Sequence, residues 1–243
     1  MKLALTEIDR ERTPLGTLVL SRYEAPTGEI GHQIEIDGEF LMATHGCHSE
    51  RALAPLAHER LRRPAHDLSV LVGGLGAGHT LRAALDLPGV AVVTVAEIGA
   101  KMADWNRRYF ADANDCAVDD LRVRVVVADL WDVLGTSAGA FDLLLLDVDN
   151  GPERLAAAGN ARLYDAQGVL LCRDALRDGG VAAFWSGARN PVFLATLRAV
   201  FPDAEEIDTR DLAREVGEIN DVVYFGRREP APAPRLRETA CPL

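Results

Sequence analysis

The sequence predicts an α/β fold in which a mostly parallel sheet is covered by helices on both faces. From residue 67 onward, apolar strand-like runs alternate with segments of helical composition. The strand-like runs are 68–72, 91–96, 122–128, 142–146 and 180–185. The helical segments are 79–86, 100–111, 165–177 and 190–201. Such alternation is typical of parallel sheets, and the run Leu143–Leu146 suits a strand buried on both sides.

Antiparallel strands are predicted ahead of this alternation, over residues 16–44. The dipeptide Asp37-Gly38 follows an alternating polar and apolar run and indicates a hairpin turn. Ser49 and Glu50 open an Ala- and Leu-rich run to Arg63, which predicts a capped helix that Pro64 ends. Residues 221–225 predict a last strand, and the charges before it, Asp221 included, are interpreted as solvated loop residues.

Three regions follow from this pattern. Residues 1–63 form a β-strand region with a linking helix, and residues 64–228 form the nucleotide-binding catalytic α/β domain. Residues 229–243 form a Pro-rich tail that is expected to be disordered.

Composition restricts the partners and the cellular compartment. The chain is 48% hydrophobic and 26% charged, with a formal net charge of −11, so nucleic acid is not an expected partner. No cysteine pair or Cys/His cluster predicts a disulfide framework or a metal site; the cysteines are Cys47, Cys116, Cys172 and Cys241. Acids occur too early for a signal peptide, and no apolar run reaches spanning length. A cytoplasmic protein that does not bind membranes is therefore expected.

The most informative motif is Val70–His79, in which a strand enters a glycine loop and a helix follows, with Glu97 ending the next apolar run. This order predicts a pocket for an adenosine-bearing nucleotide, because glycines allow the backbone to approach the ligand. A dinucleotide fingerprint would require glycine where His79 stands, which favours S-adenosylmethionine over NAD. An NAD-dependent oxidoreductase stays the less favoured alternative. The loop residues expected at the nucleotide are Gly74, Leu75, Gly76, Ala77 and Gly78.

Acidic residues end several predicted strands, at the edge where parallel sheets bind ligands. Glu97, beside Ile98, is expected to accept hydrogen bonds from the ribose hydroxyls, and Asp129, beside Leu130, from an adenine amino group. Asp147 ends the most apolar strand, where partial desolvation would raise its pKa and suit it to receive a proton. Any one of these acids could instead be a helix cap.

Residues 16–226 resemble the spermidine synthase-like group of the class I S-adenosylmethionine-dependent methyltransferase fold. The segments that carry the resemblance are Val70–Arg82, Val95–Ile98, Val127–Leu130, Leu146–Pro152 and Ala175–Gly180. The resemblance implies a Rossmann-like seven-stranded sheet with an antiparallel last strand, preceded by a small β-hairpin region that could pair across a homodimer. It also implies Glu97 at the ribose, Asp129 at the adenine, and Asp147 as the acid that helps to deprotonate an attacking amine.

Two departures bear on the reaction. Spermidine synthases carry an Asp in the glycine loop for the amine of decarboxylated S-adenosylmethionine, and here that position is Ala77. They carry a second Asp three residues after the catalytic one, and here that position is Asn150. Ordinary methyltransferases often have an acid where Val72 stands, so neither donor is favoured by every motif.

We therefore expect a transferase that uses an S-adenosyl sulfonium nucleotide and no metal. Loss of two polyamine-directed acids favours methyl transfer from S-adenosylmethionine to a small nucleophile, expected to be an amine. Aminopropyl transfer from decarboxylated S-adenosylmethionine is the alternative, and a non-catalytic nucleotide-binding scaffold is the second. The expected catalytic residues are Asp147, Asp149 and Asn150. The expected acceptor-side residues, each of which is more often a packing residue, are His45, Tyr164 and Trp185.

Overall fold

The computed structural model describes residues 4–14, 16–25, 28–45, 48–156, 158–209 and 221–230. A four-stranded antiparallel sheet in the order β1-β2-β3-β4 comprises β1 Thr6–Thr13, β2 Gly16–Glu24, β3 Ile30–Ile36 and β4 Glu39–Ala43. A seven-stranded sheet has the order β10-β11-β9-β8-β5-β6-β7. Its strands are β5 Leu68–Gly73, β6 Val90–Glu97, β7 Val123–Val127, β8 Phe141–Leu146, β9 Leu176–Ser186, β10 Glu205–Asp208 and β11 Val222–Arg227.

The predicted fold class is confirmed. Strands β5 to β9 pair in parallel, and β11 is antiparallel to both β9 and β10. All six side chains of β8 are buried, as expected for a strand with both faces covered. Asp37 and Gly38 make the two-residue turn between β3 and β4, both with positive φ, as this hairpin type requires.

Helices cover the larger sheet and connect its strands. The helices are α1 His48–His58, α2 His79–Leu85, α3 Met102–Trp105, α4 Ala111–Asn114, α5 Leu130–Gly135, α6 Ala166–Ala175 and α7 Pro191–Val200. A π-type turn, Asn106–Phe110, joins α3 to α4, and 3-10 turns occupy Ala117–Asp119 and Ala158–Leu163. None of the helices in the described part of the chain is long and apolar enough to cross a membrane.

Several boundaries differ from the sequence-based expectations. The helix predicted from Ser49 to Arg63 runs from His48 to His58, so Ser49 lies inside it, and Pro55 is accommodated within the helix. The helix expected over 165–177 ends at Ala175, because Leu176 already pairs with Phe141 of β8. The sequence did not indicate β1, β10 or α5, because these short elements lack an apolar periodicity and depend on neighbours or a cap.

One apolar core joins the two sheets. Leu20 and Ile34 of the small sheet, Leu53 of α1, and Val70 and Val93 of the large sheet belong to the same buried cluster. The division of the chain into two regions between residues 63 and 64 stays a prediction. Residues 231–243, most of the predicted tail, lie outside the described residues, as do Cys47 and Cys241. Cys116 and Cys172 are free cysteines.

Candidate functional site

A cavity of about 300 Å³ opens at the carboxyl edge of the large sheet, within the size range of small-molecule sites. The strand order places the ends of β8, β5, β6 and β7 next to one another, and residues from β4 and α1 close the cavity from the other side. Most of the residues expected from the sequence line it. They are His45, Gly74, Leu75, Gly76, Ala77, Glu97, Ile98, Asp129, Leu130, Asp147, Asp149, Asn150 and Trp185.

The glycine loop is held by buried amide side chains. Asn106 donates from Nδ2 to the Gly76 carbonyl oxygen at 2.8 Å. Asn114 donates from Nδ2 to the Ala77 carbonyl oxygen at 2.8 Å and to Asn106 Oδ1 at 2.7 Å. Gly74 has a φ of +82°, and a Cβ there would lie 2.6 Å from the Asp147 carbonyl oxygen. Glycine is thus required where the loops after β5 and β8 approach each other.

Gly78 was expected at the nucleotide, but it is not among the described residues that line the cavity. It precedes α2 with a φ of +82°, and a Cβ there would lie 2.6 Å from Asn114 Nδ2. Its role in the structure is therefore to turn the chain into α2 against the buried amides.

Glu97 is a fixed acceptor at the end of β6. Its Oε2 accepts from the Leu75 N–H at 2.8 Å, and its Oε1 accepts from the Gly99 N–H at 2.7 Å. Burial raises the pKa of this carboxyl, which is 5% exposed, and the two N–H donors counter that rise. Each carboxylate oxygen keeps a further lone pair for a ligand hydroxyl.

Asp129 combines a helix cap with a place in the cavity wall. Its Oδ1 accepts from the Trp131 N–H at 2.9 Å at the start of α5. Its Oδ2 accepts from Arg162 Nη2 at 2.5 Å, and the same guanidinium lies 4.9 Å from the centre of the Trp131 ring. Asp129 therefore both caps α5 and lines the cavity.

Asp147 lies within a group of carboxyls and hydroxyls. Its Oδ2 accepts from Thr80 Oγ1 at 2.7 Å, and burial together with the Asp221 carboxyl raises its pKa. Ser49 Oγ lies 2.6 Å from Asp221 Oδ2 and 3.0 Å from Glu50 Oε2. Burial and the nearby charge of Asp147 raise the pKa of Glu50 as well.

The interpretation of Asp221 as a solvated loop charge was wrong. The side chain is partly buried, lines the cavity, and has a pKa raised by burial. Because β11 runs antiparallel, the residue that precedes it reaches the same edge as the carboxyl ends of β8 and β9.

Asp149 is held by three donors rather than presented to a ligand. Its Oδ1 accepts from the Ala156 N–H at 2.6 Å and from Asn160 Nδ2 at 2.9 Å, and its Oδ2 accepts from the Tyr164 hydroxyl at 3.1 Å. It is 4% exposed, and these contacts favour a role in positioning the loop after β8.

Tyr164 was expected on the acceptor side, but it lies behind Asp149 and not among the described lining residues. Its ring packs edge-on against Phe193. His45 Nδ1 lies 2.9 Å from the Tyr23 hydroxyl, and Asn150 Nδ2 donates to the Phe40 carbonyl oxygen at 3.5 Å. Trp185 Nε1 has no hydrogen-bond partner within the part of the chain that the structure describes.

Two polar residues that line the cavity, Glu50 and His79, were missed from the sequence. So were Ser49 and Thr80, whose hydroxyls contact the carboxyls of Asp221 and Asp147. Ser49 and Glu50 had the pattern of a helix start, and His79 and Thr80 follow the glycine loop without a motif of their own. The position of Glu50 and Thr80 beside Asp147 depends on α1 packing against α2, which no local pattern encodes.

The cavity wall is acidic. Among the described residues that line it, six carry a carboxyl group and none is lysine or arginine. The six are Glu50, Glu97, Asp129, Asp147, Asp149 and Asp221. Within the same described residues, no group of three His, Cys, Asp or Glu side chains is placed to hold a metal ion.

Comparison with known proteins finds similarity to the spermine/spermidine synthase domain and to polyamine aminopropyltransferases. The family model described as spermine/spermidine synthase domain matches residues 52–193. A polyamine aminopropyltransferase from a Synechococcus species is 29% identical over 194 residues, covering 73% of this chain and 59% of that protein. Polyamine aminopropyltransferase 1 of Streptomyces coelicolor is 29% identical over 221 residues, covering 90% of this chain and 39% of that protein.

Solved structures show the same fold at low sequence identity. A spermidine synthase in complex with the transition-state analogue AdoDATO has a TM-score of 0.74 at 18% identity, covering 91% of this chain and 73% of that one. The spermidine synthase of Thermotoga maritima has a TM-score of 0.69 at 18% identity, covering 94% and 74% of the two chains. The chain spans about two fifths to three fifths of the length of the curated relatives described above.

The comparisons correct one preference from the sequence. Methyl transfer from S-adenosylmethionine is not supported, whereas aminopropyl transfer, the alternative, agrees with the names of the relatives. No finding bears on a homodimer or on the cytoplasm, which stay predictions.

Proposed function

The chain belongs to the spermine/spermidine synthase domain family, and from this premise we propose that it transfers an aminopropyl group from decarboxylated S-adenosylmethionine to a small amine. The single observation that carries the proposal is the charge of the cavity, whose described lining holds six carboxyl groups and no lysine or arginine. Decarboxylated S-adenosylmethionine and an alkylamine are cations without a carboxylate. Intact S-adenosylmethionine would bring its own carboxylate into this acidic wall, which like-charge repulsion disfavours.

The nucleoside half of the donor fits the end of β6. Glu97 has a free lone pair on each oxygen for the ribose hydroxyls, because the Leu75 and Gly99 N–H groups occupy the other pair. Asp129, at the start of α5, is proposed to accept a hydrogen bond from the adenine amino group. The glycine loop, fixed by Asn106, lets the backbone approach the nucleoside closely.

Asp147 is proposed as the base. The amine lone pair attacks the aminopropyl carbon bonded to the sulfonium sulfur, and the carbon–sulfur bond breaks with its electron pair on sulfur. Methylthioadenosine leaves as a neutral thioether, and Asp147 receives the proton released from the new secondary ammonium. A raised pKa suits Asp147 to this task, and Thr80 fixes the orientation of its carboxyl at 2.7 Å. The protein otherwise positions the two substrates in line.

Product analysis by mass spectrometry tests the proposal. The purified protein is incubated with decarboxylated or intact S-adenosylmethionine and with a panel of mono-, di- and polyamines. We expect methylthioadenosine and an aminopropylated amine, and at least about tenfold tighter binding of the decarboxylated donor, equivalent to about 1.4 kcal/mol. A methylated product with S-adenosylhomocysteine would overturn the proposal. Nucleotide binding without transfer to any acceptor would favour the scaffold alternative.

Asp147→Asn tests the base directly. We expect turnover to fall about 100-fold or more, the usual scale for loss of a general base, while methylthioadenosine binds within about threefold of wild type. Asp132→Asn, at a first-turn acid of α5 outside the cavity lining, is the matched control and should retain wild-type turnover. Wild-type turnover in Asp147→Asn would remove Asp147 from the proposed mechanism.

A further inference from the structure

Three carboxyl groups meet where the sequence motifs account for only one. Asp147 follows β8 within a motif, but Glu50 comes from the first turn of α1 and Asp221 from the residue before β11. Ser49 Oγ lies 2.6 Å from Asp221 Oδ2 and 3.0 Å from Glu50 Oε2. Thr80 Oγ1 lies 2.7 Å from Asp147 Oδ2 and 3.4 Å from the Glu50 carbonyl oxygen, so two hydroxyls link the carboxyl-bearing residues.

A buried histidine lies against the same cavity. His79 is 5% exposed, and neither ring nitrogen has a hydrogen-bond partner within the described residues, although the Thr44 backbone is near. Leaving buried polar atoms unpaired is unfavourable, so such a group points to a ligand. Burial and the Arg51 charge lower the pKa of His79 to about 4, which keeps the ring neutral and one nitrogen free to accept a hydrogen bond.

We propose that Glu50, with Asp221 near it and with His79, which lines the same cavity, binds a primary ammonium group of the substrate that takes no part in bond making. An ammonium has three N–H donors, and the two carboxylates and the neutral imidazole are the acceptors that match them. Glu50 is then a specificity-determining residue that selects substrates with an additional amino group. This inference rests on the proposed function only for the identity of the substrates.

The placement accounts for the two departures from the spermidine synthase pattern. Ala77 and Asn150 stand where the resemblance implies carboxylates, so the usual anionic partners of the substrate amines are missing. Glu50 and Asp221 return two carboxyl groups to the same cavity from α1 and from the start of β11. A bound cation would also relieve the repulsion among carboxyls that lie close together.

The ammonium group that binds near Glu50 could belong to either substrate: to the aminopropyl group of the donor, or to a diamine acceptor as its second amine. Titration calorimetry separates them with matched probes. Putrescine, a linear diamine, is compared with butylamine, its monoamine counterpart, both in the presence of methylthioadenosine. Decarboxylated S-adenosylmethionine is compared with methylthioadenosine, which lacks the aminopropyl ammonium. Wild type, Glu50→Gln and Asp221→Asn are titrated, with Glu59→Gln, an exposed position just after α1, as the control.

We expect Glu50→Gln and Asp221→Asn to weaken the binding of either putrescine or decarboxylated S-adenosylmethionine, the two probes with an additional ammonium group, at least about tenfold. Weaker putrescine binding assigns the subsite to the acceptor, and weaker binding of the decarboxylated donor assigns it to the donor. Butylamine and methylthioadenosine should bind both variants within about twofold of wild type, and Glu59→Gln should match wild type with all four probes.

Three results would overturn the inference. The first is that Glu50→Gln binds putrescine and decarboxylated S-adenosylmethionine as tightly as wild type does, and the second is that Glu50→Gln weakens methylthioadenosine as much as it weakens these two probes. The third is that wild type binds putrescine no tighter than butylamine and the decarboxylated donor no tighter than methylthioadenosine. Failure of the proposed function would be seen separately. A wild-type protein that binds these cations through Glu50 but forms no aminopropylated product contradicts the function and leaves the ammonium subsite in place. Normal transfer with an unchanged KM for the amine and the donor in Glu50→Gln contradicts the subsite alone.

Discussion

Glu50→Gln should stabilise the ligand-free protein in alkaline solution. Burial of the Glu50 side chain and the nearby Asp147 carboxyl raise the pKa of Glu50 to about 7. The unfolded chain releases this proton near the ordinary glutamate pKa of 4.5, whereas the folded protein holds it until a higher pH. The folded state therefore binds more protons across this interval, and stability falls as pH rises through it. Glutamine cannot ionise and can still contact Ser49.

The magnitude follows from the displaced pKa. A rise from 4.5 to about 7 corresponds to about 3 kcal/mol at about 1.4 kcal/mol for each pH unit. Solvent screening and the mutual dependence of the Glu50 and Asp147 titrations reduce this value, and we expect about 1–2 kcal/mol near pH 8. For a chain of this length the gain corresponds to an increase in Tm of about 3–6 °C. Near pH 4 the gain should nearly vanish, because Glu50 is then mostly protonated in both states.

Thermal unfolding followed by circular dichroism checks this expectation between about pH 4 and pH 8 at low ionic strength. The comparison includes Glu59→Gln, which removes an exposed carboxyl next to the same helix and should leave Tm close to wild type at each pH. A Tm for Glu50→Gln equal to wild type near pH 8 would refute the reasoning. An increase of the same size at every pH would refute it as well, because the effect would then not arise from ionisation.

Two further substitutions test the support of the site and of the sheet. Asn106→Ala removes the 2.8 Å hydrogen bond to the Gly76 carbonyl oxygen and should weaken methylthioadenosine binding about tenfold in calorimetry; unchanged affinity would show that the amide does not fix the loop. Asp142→Asn should lower the free energy of unfolding by about 3 kcal/mol in denaturant titrations, because the fully buried Asp142 pairs with Arg63 at 2.7 Å and Arg177 at 2.8 Å. Nucleotide affinity should not change, since Asp142 lies near the amino end of β8, and unchanged stability would contradict the structural role.

The strands that carry an unambiguous local signal were predicted correctly. The run Leu143–Leu146 is apolar without alternation, and it forms the fully buried β8. The charged strand β1, from Thr6 to Thr13, gave no such signal, because its hydrogen bonds come from the antiparallel partner β2 rather than from its own composition. The short strand β10 is ordered in the same way by β11.

The residues of the candidate site form the same two groups: those that chain order predicts and those that only tertiary contacts place. Glu97 and Asp147 were predicted from chain order alone, because a parallel strand delivers the residue after it to the binding edge of the sheet. Tyr164 was misplaced on the acceptor side, because its hydrogen bond to Asp149 depends on how the chain returns after β8. Asp221 was misjudged because only the reversed direction of β11 brings it to that edge.

The local order of residues was thus sufficient to predict strands β5 to β9 and β11, the glycine loop and the acids that follow consecutive strands, since each depends on neighbours along the chain. The grouping of Glu50, His79 and Asp221 was decided by tertiary structure. It requires α1 to pack on α2 and β11 to pair with β9, contacts between segments far apart in sequence. Side chains gathered by packing share no spacing or periodicity, so nothing short of the folded chain reveals that they face one cavity.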